Sequence, residues 1–205
     1  MSPSKFKSSE GYKTIVNGLW RDHPVFSMVL GICSALAVSN RVDNAIAMTA
    51  SVTFVLVATA IIISLLRGMI PMRVRIITFM IVIATFVIIV DRFLKAFFPS
   101  ISTAIGPYVG LIITNCIIMG RAEAFYIQNN VRLSILDALA NGAGYGYTLI
   151  SIAIIRELLG FGSLLGIRIM PEGWTNWVVM SMAPGAFFLV GIFIWFTRTL
   201  AKQES

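Results

Sequence analysis

The sequence predicts an all-α polytopic membrane protein. Six transmembrane helices are expected, arranged as two inverted three-helix repeats in which spans one and four are short or broken. Three observations lead to this class. Only 12% of the 205 residues are charged, against about 25% in an ordinary soluble domain. Runs free of Asp, Glu, Lys and Arg cover 24–40, 44–66, 76–90, 96–120, 138–155 and 173–197, and a helix needs about 20 mostly apolar residues to cross a bilayer. Segments such as MTASVTFVLVATAIIISLL and IITFMIVIATFVIIV are continuously apolar. They lack the alternating polarity of outer-membrane strands, and a helix satisfies its own backbone polar groups in lipid.

Residues 1–23 are polar and basic and read as a cytoplasmic N-terminal segment. No cleavable signal pattern precedes the first apolar run, so insertion is expected to use the spans themselves. A single membrane domain follows over 24–199, with repeat one at about 24–95 and repeat two at about 101–199. Residues 200–205 form a cytoplasmic tail. The spans are expected near 24–39, 44–66, 74–95, 101–120, 132–155 and 174–198, separated in part by loops at Pro71, Pro99 and Pro171. Pro24 opens span one and Pro107 interrupts span four. NGAGYGY in span five offers small residues that let another helix approach closely. Trp174, Trp177 and Trp195 sit towards the two ends of span six, where interfacial aromatics belong.

The formal net charge is +7. The cations lie at the ends of apolar runs, so they indicate orientation and lipid headgroups rather than nucleic acid. Of the 16 Lys and Arg residues, eleven fall on the side shared by both termini and the second and fourth loops. Arg121 and Arg132 are counted in that fourth loop. This excess predicts a multi-pass protein of the bacterial inner (plasma) membrane with both termini in the cytoplasm.

The chain has two cysteines, Cys33 and Cys116, both inside apolar runs. Each lies in a short or interrupted span, and each is followed by an Arg and a carboxylate, Arg41 and Asp43 or Arg121 and Glu123. Two longer spans follow each of these. An odd number of spans per repeat turns the second repeat over, and matching broken segments in inverted repeats mark the functional site. Small or polar residues surround both thiols: Gly31, Ser34 and Ala35 near the first, Thr114 and Asn115 before the second. A buried free cysteine is ordinarily an inert small hydrophobe. The inverted arrangement instead allows the two to meet near the midplane. Two thiolates are half of a four-ligand site, and soft ligands favour iron–sulfur, zinc or copper(I) over hard cations.

LGICSALAV, LIITNCIIMGRAEAF, NGAGYGY and RELLGFGSLLG together resemble a family of membrane subunits found in two redox complexes. Its members include the D subunit of the Na+-translocating NADH:quinone oxidoreductase and the E subunit of the Rnf ferredoxin:NAD+ complex. The resemblance runs from about Trp20 to Thr199. Ser34 directly after Cys33 is similar to the sodium-pump members, whereas IVNGLWRDHPVF leans towards the Rnf members. The resemblance implies six helices in an inverted repeat and a homologous partner of opposite topology, which in the sodium pump is its E subunit. It also implies a [2Fe-2S] cluster inside the membrane, with Cys33 and Cys116 as this chain's two ligands. FAD, FMN, riboflavin and quinone are then expected on other subunits of the complex, which couples NADH oxidation and quinone reduction to Na+ export.

No dinucleotide fingerprint, P-loop or zinc-protease motif is present, so no NADH or flavin site is expected on this chain. Asp43, Asp91, Glu123, Asp137 and Glu157 are weighed as ion ligands because oxygen ligands suit Na+. Each lies near a span end, where an interfacial charge or ion pair is the simpler account. Arg156 and Glu157 are adjacent and could form a buried pair. His23 precedes Pro24 and reads as a loop residue. A secondary transporter with an inverted repeat and inert cysteines is the rival from another functional class.

Overall fold

The computed structural model describes residues 30–97, 99–164, 167–168, 179 and 182–203. The expected N-terminal segment, His23, Pro24, Pro171, Trp174 and Trp177 lie outside them.

The described chain is helical apart from one short hairpin. Helix α1 spans Ile32–Val38, α2 Val42–Leu66, α3 Arg75–Phe97 and α4 Pro99–Ile105. A 3-10 turn over Gly106–Tyr108 leads to α5, Val109–Ile113, then α6, Cys116–Arg121, which runs into a π-helical turn over Ala122–Tyr126. Helix α7 spans Val131–Phe161 and α8 Ala183–Gln203. Between them, β1 (Ser163–Leu164) pairs antiparallel with β2 (Ile167–Arg168), a hairpin not expected from the sequence. Gly162, with φ of 64°, takes the left-handed conformation that ends α7 and starts this turn.

Four segments are long and apolar enough to cross a membrane: Val42–Leu66, Arg75–Phe97, Gly106–Tyr126 and Val131–Phe161. Pro184–Phe196 is a shorter apolar helical stretch. At 1.5 Å per residue α2 is about 38 Å long, enough for a hydrocarbon core of about 30 Å. Span five is longer than expected: α7 has 31 residues and carries Arg156 and Glu157 within the helix. Pro99 opens α4 rather than ending a loop, as fits a residue with no N–H to leave unpaired at a first helical position.

The core lies between α2 and α7, which run antiparallel. Glu157, near the end of α7, meets Val42 at the start of α2, and Ser64, near the end of α2, meets Asn129 just before α7. On α2 the buried residues Ala45, Met48, Val52, Val55, Leu56, Thr59 and Ile63 recur at helical spacing and form one face. The facing part of α7 is glycine. A Cβ on Gly142 would stand 2.8 Å from Thr53 Cγ2, and one on Gly146 would stand 2.4 Å from Thr49 Cγ2. The close approach expected of NGAGYGY therefore has named partners. Thr53 and Gly142 are both the twelfth residue of their helices. Arg67 and Arg156 both stand 25 residues beyond the first residue of theirs. Both arginines donate to a backbone carbonyl preceding the other long helix, Arg67 to Gln128 and Arg156 to Leu36.

Helix α3 buries only Phe79, Ile83 and Val87, spaced four residues apart. Ile76, Ile77, Ile81, Ile88, Ile89 and Phe93 face outward, as suits a helix whose remaining surface meets lipid. Several hydroxyls along the spans fold back onto their own helix. Thr49, Ser51, Thr85, Thr148 and Ser151 each donate to the carbonyl four residues earlier. This satisfies them where no water is available.

Candidate functional site

The site is built where the chain interrupts its own helices. Span four is broken twice, once at Gly106–Tyr108 as Pro107 suggests, and again at Thr114–Asn115. The second break has a local cause. Asn115 is extended, with φ of −67° and ψ of 117°, and its side chain accepts the N–H of Ile117 at 3.1 Å. It is an N-cap, and it makes Cys116 the first residue of a new helix. Before the first cysteine Gly31 does the equivalent. It precedes α1 with φ of 82° and ψ of 10°, and Cys33 is the second helical residue. That backbone conformation favours glycine. A Cβ on Gly31 would also stand 2.5 Å from Ile117 Cδ1 and 3.3 Å from Tyr145 Cε2.

The two cysteine-bearing loops therefore touch. The Gly31 N–H donates to Cys116 Sγ at 2.8 Å across 85 residues of sequence. Cys116 is half-buried, while Cys33 is exposed on the described chain. One thiol lies against a backbone donor, and the other is exposed. Asn115 Nδ2 beside them is buried, and its side chain lies next to the Tyr145 hydroxyl. Tyr145 of α7 closes the inner side: its hydroxyl donates to Ser34 Oγ at 2.8 Å, and Ser34 Oγ donates to the Gly31 carbonyl at 2.9 Å. Tyr145 and Ser34 are 1% and 2% exposed, so water does not compete for these bonds.

Among the described residues, the five carboxylates weighed from the sequence are all engaged. Asp43 lies 3.9 Å from Arg41 and Asp91 lies 2.6 Å from Lys95. Glu123 pairs with Arg75, and Asp137 pairs with Arg121. Glu157 accepts the Val42 N–H at 2.8 Å. Two expectations change. Arg121 is not a loop cation: it is buried in α6 and forms a two-pronged pair with Asp137 on α7. Asp137 and Glu157 are buried, 1% and 3% exposed, and Asp137 meets the expectation of an ion pair. Arg156 and Glu157 do not pair with each other, because successive helical residues point in different directions. Arg156 instead donates to Leu36 O at 3.2 Å and Ser39 Oγ at 2.7 Å, which ties α7 to the end of α1.

Among the described residues no three His, Cys, Asp or Glu side chains converge as a metal site. The chain offers two soft ligands on adjoining loops and a donor already aimed at one sulfur. That donor set fits a thiolate-held cluster that is completed by another protein.

The family described as "Rnf-Nqr subunit, membrane protein" matches residues 12–194. The chain belongs to the Rnf-Nqr family. Among its relatives, the D subunit of the Na(+)-translocating NADH-quinone reductase of Psychromonas ingrahamii is 46% identical over 204 residues, covering 97% of both chains. The D subunits of the same reductase from Chlamydia felis and Chlamydia caviae are 44% and 43% identical. Those two alignments cover 95% and 97% of this chain and 96% and 98% of the relatives. Within this Rnf-Nqr chain the sequence pointed to both cysteines but not to the residues that seat them. Gly31, Asn115 and Tyr145 were visible only as a small residue, a polar residue in an apolar run and part of a packing motif.

Proposed function

We propose that this Rnf-Nqr chain is the electron-relay D subunit of a Na+-translocating NADH:quinone reductase. Cys33 and Cys116 supply two of four thiolates to an intramembrane [2Fe-2S] cluster. A homologous protein of opposite topology, the pump's E subunit, supplies the others. The observation that carries this reading is the hydrogen bond from Gly31 N–H to Cys116 Sγ. It brings together two loops that each begin a short helix with a cysteine in its first turn. The relatives named as D subunits of the reductase support the sodium-pump assignment over the Rnf assignment.

The equal positions of Thr53 and Gly142, and of Arg67 and Arg156, support the inverted repeat. A two-fold relation between antiparallel helices brings equivalent residues together at the axis. Taking the buried Arg121 and Arg156 out of the charge count leaves the cationic excess on the same side, so both termini are assigned to the cytoplasm of the inner membrane.

The chain's task is to hold two thiolates in fixed positions, keep water away and aim N–H dipoles at sulfur. A [2Fe-2S] cluster bound there supplies a one-electron carrier within the membrane. Gly31 keeps the two loops in contact, and Asn115 fixes the start of α6. Arg156 and the Arg121–Asp137 pair tie the two cysteine helices, α1 and α6, to α7. Na+ movement coupled to changes in the packing of these half-helices is part of the proposal. Identical half-helix positions in the oxidised and reduced complex would remove that part.

The test is NADH-driven quinone reduction and Na+ uptake in vesicles containing the assembled complex, with Cys33→Ala and Cys116→Ala. Both variants should assemble and lose both activities. Retained turnover would favour the transporter reading with inert thiols. Ferredoxin-driven NAD+ reduction by the unmodified complex would place the chain among the Rnf members.

A further inference from the structure

Tyr145 takes no part in cysteine ligation, yet it is the side chain through which the long central helix reaches the cysteine loops. Its hydroxyl donates to Ser34 Oγ at 2.8 Å, and Ser34 Oγ donates to Gly31 O at 2.9 Å. The N–H of the same glycine donates to Cys116 Sγ at 2.8 Å. The chain of bonds thus begins on α7, passes through α1 and ends on the sulfur that opens α6. The first and last links join different parts of the fold, the middle one lies within the first turn of α1, and both hydroxyls are almost fully buried. Packing alone would not demand hydroxyls here, since an unpaired buried hydroxyl is costly. Phe and Ala would fill the same places without that requirement.

A backbone N–H that donates to a ligating sulfur stabilises the more negative, reduced state of an iron–sulfur centre and raises its potential. The strength of that bond depends on how firmly the donor is held. Gly31 cannot be held by its own side chain. It sits in a left-handed conformation with Ile117 and Tyr145 against it. A fixed Gly31 carbonyl leaves its loop less freedom to turn away from the sulfur.

We infer that Tyr145 and Ser34 are positioning residues that hold the Gly31 loop by hydrogen bonding, and that through the Gly31 N–H they raise the reduction potential of the centre held by Cys116. This inference rests on the two-cysteine reading. It assigns no electron-carrying role to the Tyr145 phenol.

The experiment is a redox titration of the iron–sulfur electron paramagnetic resonance signal in the purified holo complex. The unmodified complex is compared with Tyr145→Phe, Ser34→Ala and Ser34→Thr. Tyr145→Phe and Ser34→Ala should retain iron and titrate at lower potential. The reduced-to-oxidised ratio at a fixed ambient potential should fall by up to about tenfold, or ~59 mV for one electron. Ser34→Thr keeps a hydroxyl and should titrate close to the unmodified complex. A complex labelled with 15N-glycine should show a glycine nitrogen coupled to the reduced centre. Unchanged potentials in both hydroxyl deletions, or no glycine coupling, would overturn the inference and leave the two-cysteine reading standing. If Tyr145→Phe does not assemble, Ser34→Ala decides. An iron–sulfur signal left undiminished by Cys33→Ala and Cys116→Ala would overturn the underlying reading as well.

Discussion

Gly146 of α7 packs directly onto the methyl group of Thr49 on α2, and a Cβ at position 146 would stand 2.4 Å from Thr49 Cγ2. Without a hydrophobic driving force between helices in lipid, such backbone approach is a main source of helix association. Gly146→Ala should destabilise the chain by about 1–3 kcal/mol through overpacking. Thr49→Ser removes the obstructing methyl while keeping the bond to the Ala45 carbonyl. The double variant should therefore recover most of the loss. Thermal unfolding of the detergent-solubilised complex reads both effects, and equal loss in the single and double variants would contradict the contact.

The Arg121–Asp137 pair predicts a different pattern. Both side chains are buried, so removing one leaves an uncompensated charge, a cost of about 3–5 kcal/mol. Asp137→Leu and Arg121→Met should each impair assembly. The double variant should assemble better than either single one, because no lone charge remains. If the double variant is worse than both, the pair is not what holds α6 to α7.

Gly31→Ala combines a strained backbone with a direct clash. Its φ of 82° is poor for residues with a Cβ, and Ile117 occupies the space the Cβ needs. The backbone term alone is about 1–2 kcal/mol. Ile117→Val removes Cδ1, the nearest obstructing atom, so Gly31→Ala with Ile117→Val should recover the steric part and leave the backbone part. Assembled-complex yield and thermal unfolding measure this, and no recovery would place the whole cost in the backbone.

Thiol reactivity should differ between the two cysteines. In the chain expressed without its partner, a membrane-permeant maleimide should label Cys33 faster than Cys116, since Cys33 is exposed and Cys116 is half-buried against Gly31. Single Cys→Ser variants read each rate separately. Equal rates would mean that the two loops do not adopt the observed arrangement.

Much of the fold was legible because hydropathy is a strong signal. Val42–Leu66 and Arg75–Phe97 lie within about two residues of their expected bounds, since each contains a long charge-free run, 44–66 or 76–90. The packing role of NGAGYGY was legible because few other accounts exist for small residues inside a span. The second break in span four was not, because Asn115 is a single polar residue whose capping role depends on the conformation it takes. Arg121 was misplaced for a related reason. Charge alone suggests a span end, and only the position of Asp137, sixteen residues on, shows that it is neutralised inside. The Arg156–Glu157 pair failed because adjacency in sequence is not adjacency in space on a helix. Tyr145 was hidden by its neighbours, since in a run of glycines an aromatic residue reads as packing.

The most direct test of the two-cysteine relay is the electron paramagnetic resonance signal of the reduced, purified complex, measured with its iron content. Cys33→Ser and Cys116→Ser should each assemble, lose the signal of one iron–sulfur centre and leave flavin content unchanged. An undiminished signal and iron content in both variants would contradict the account.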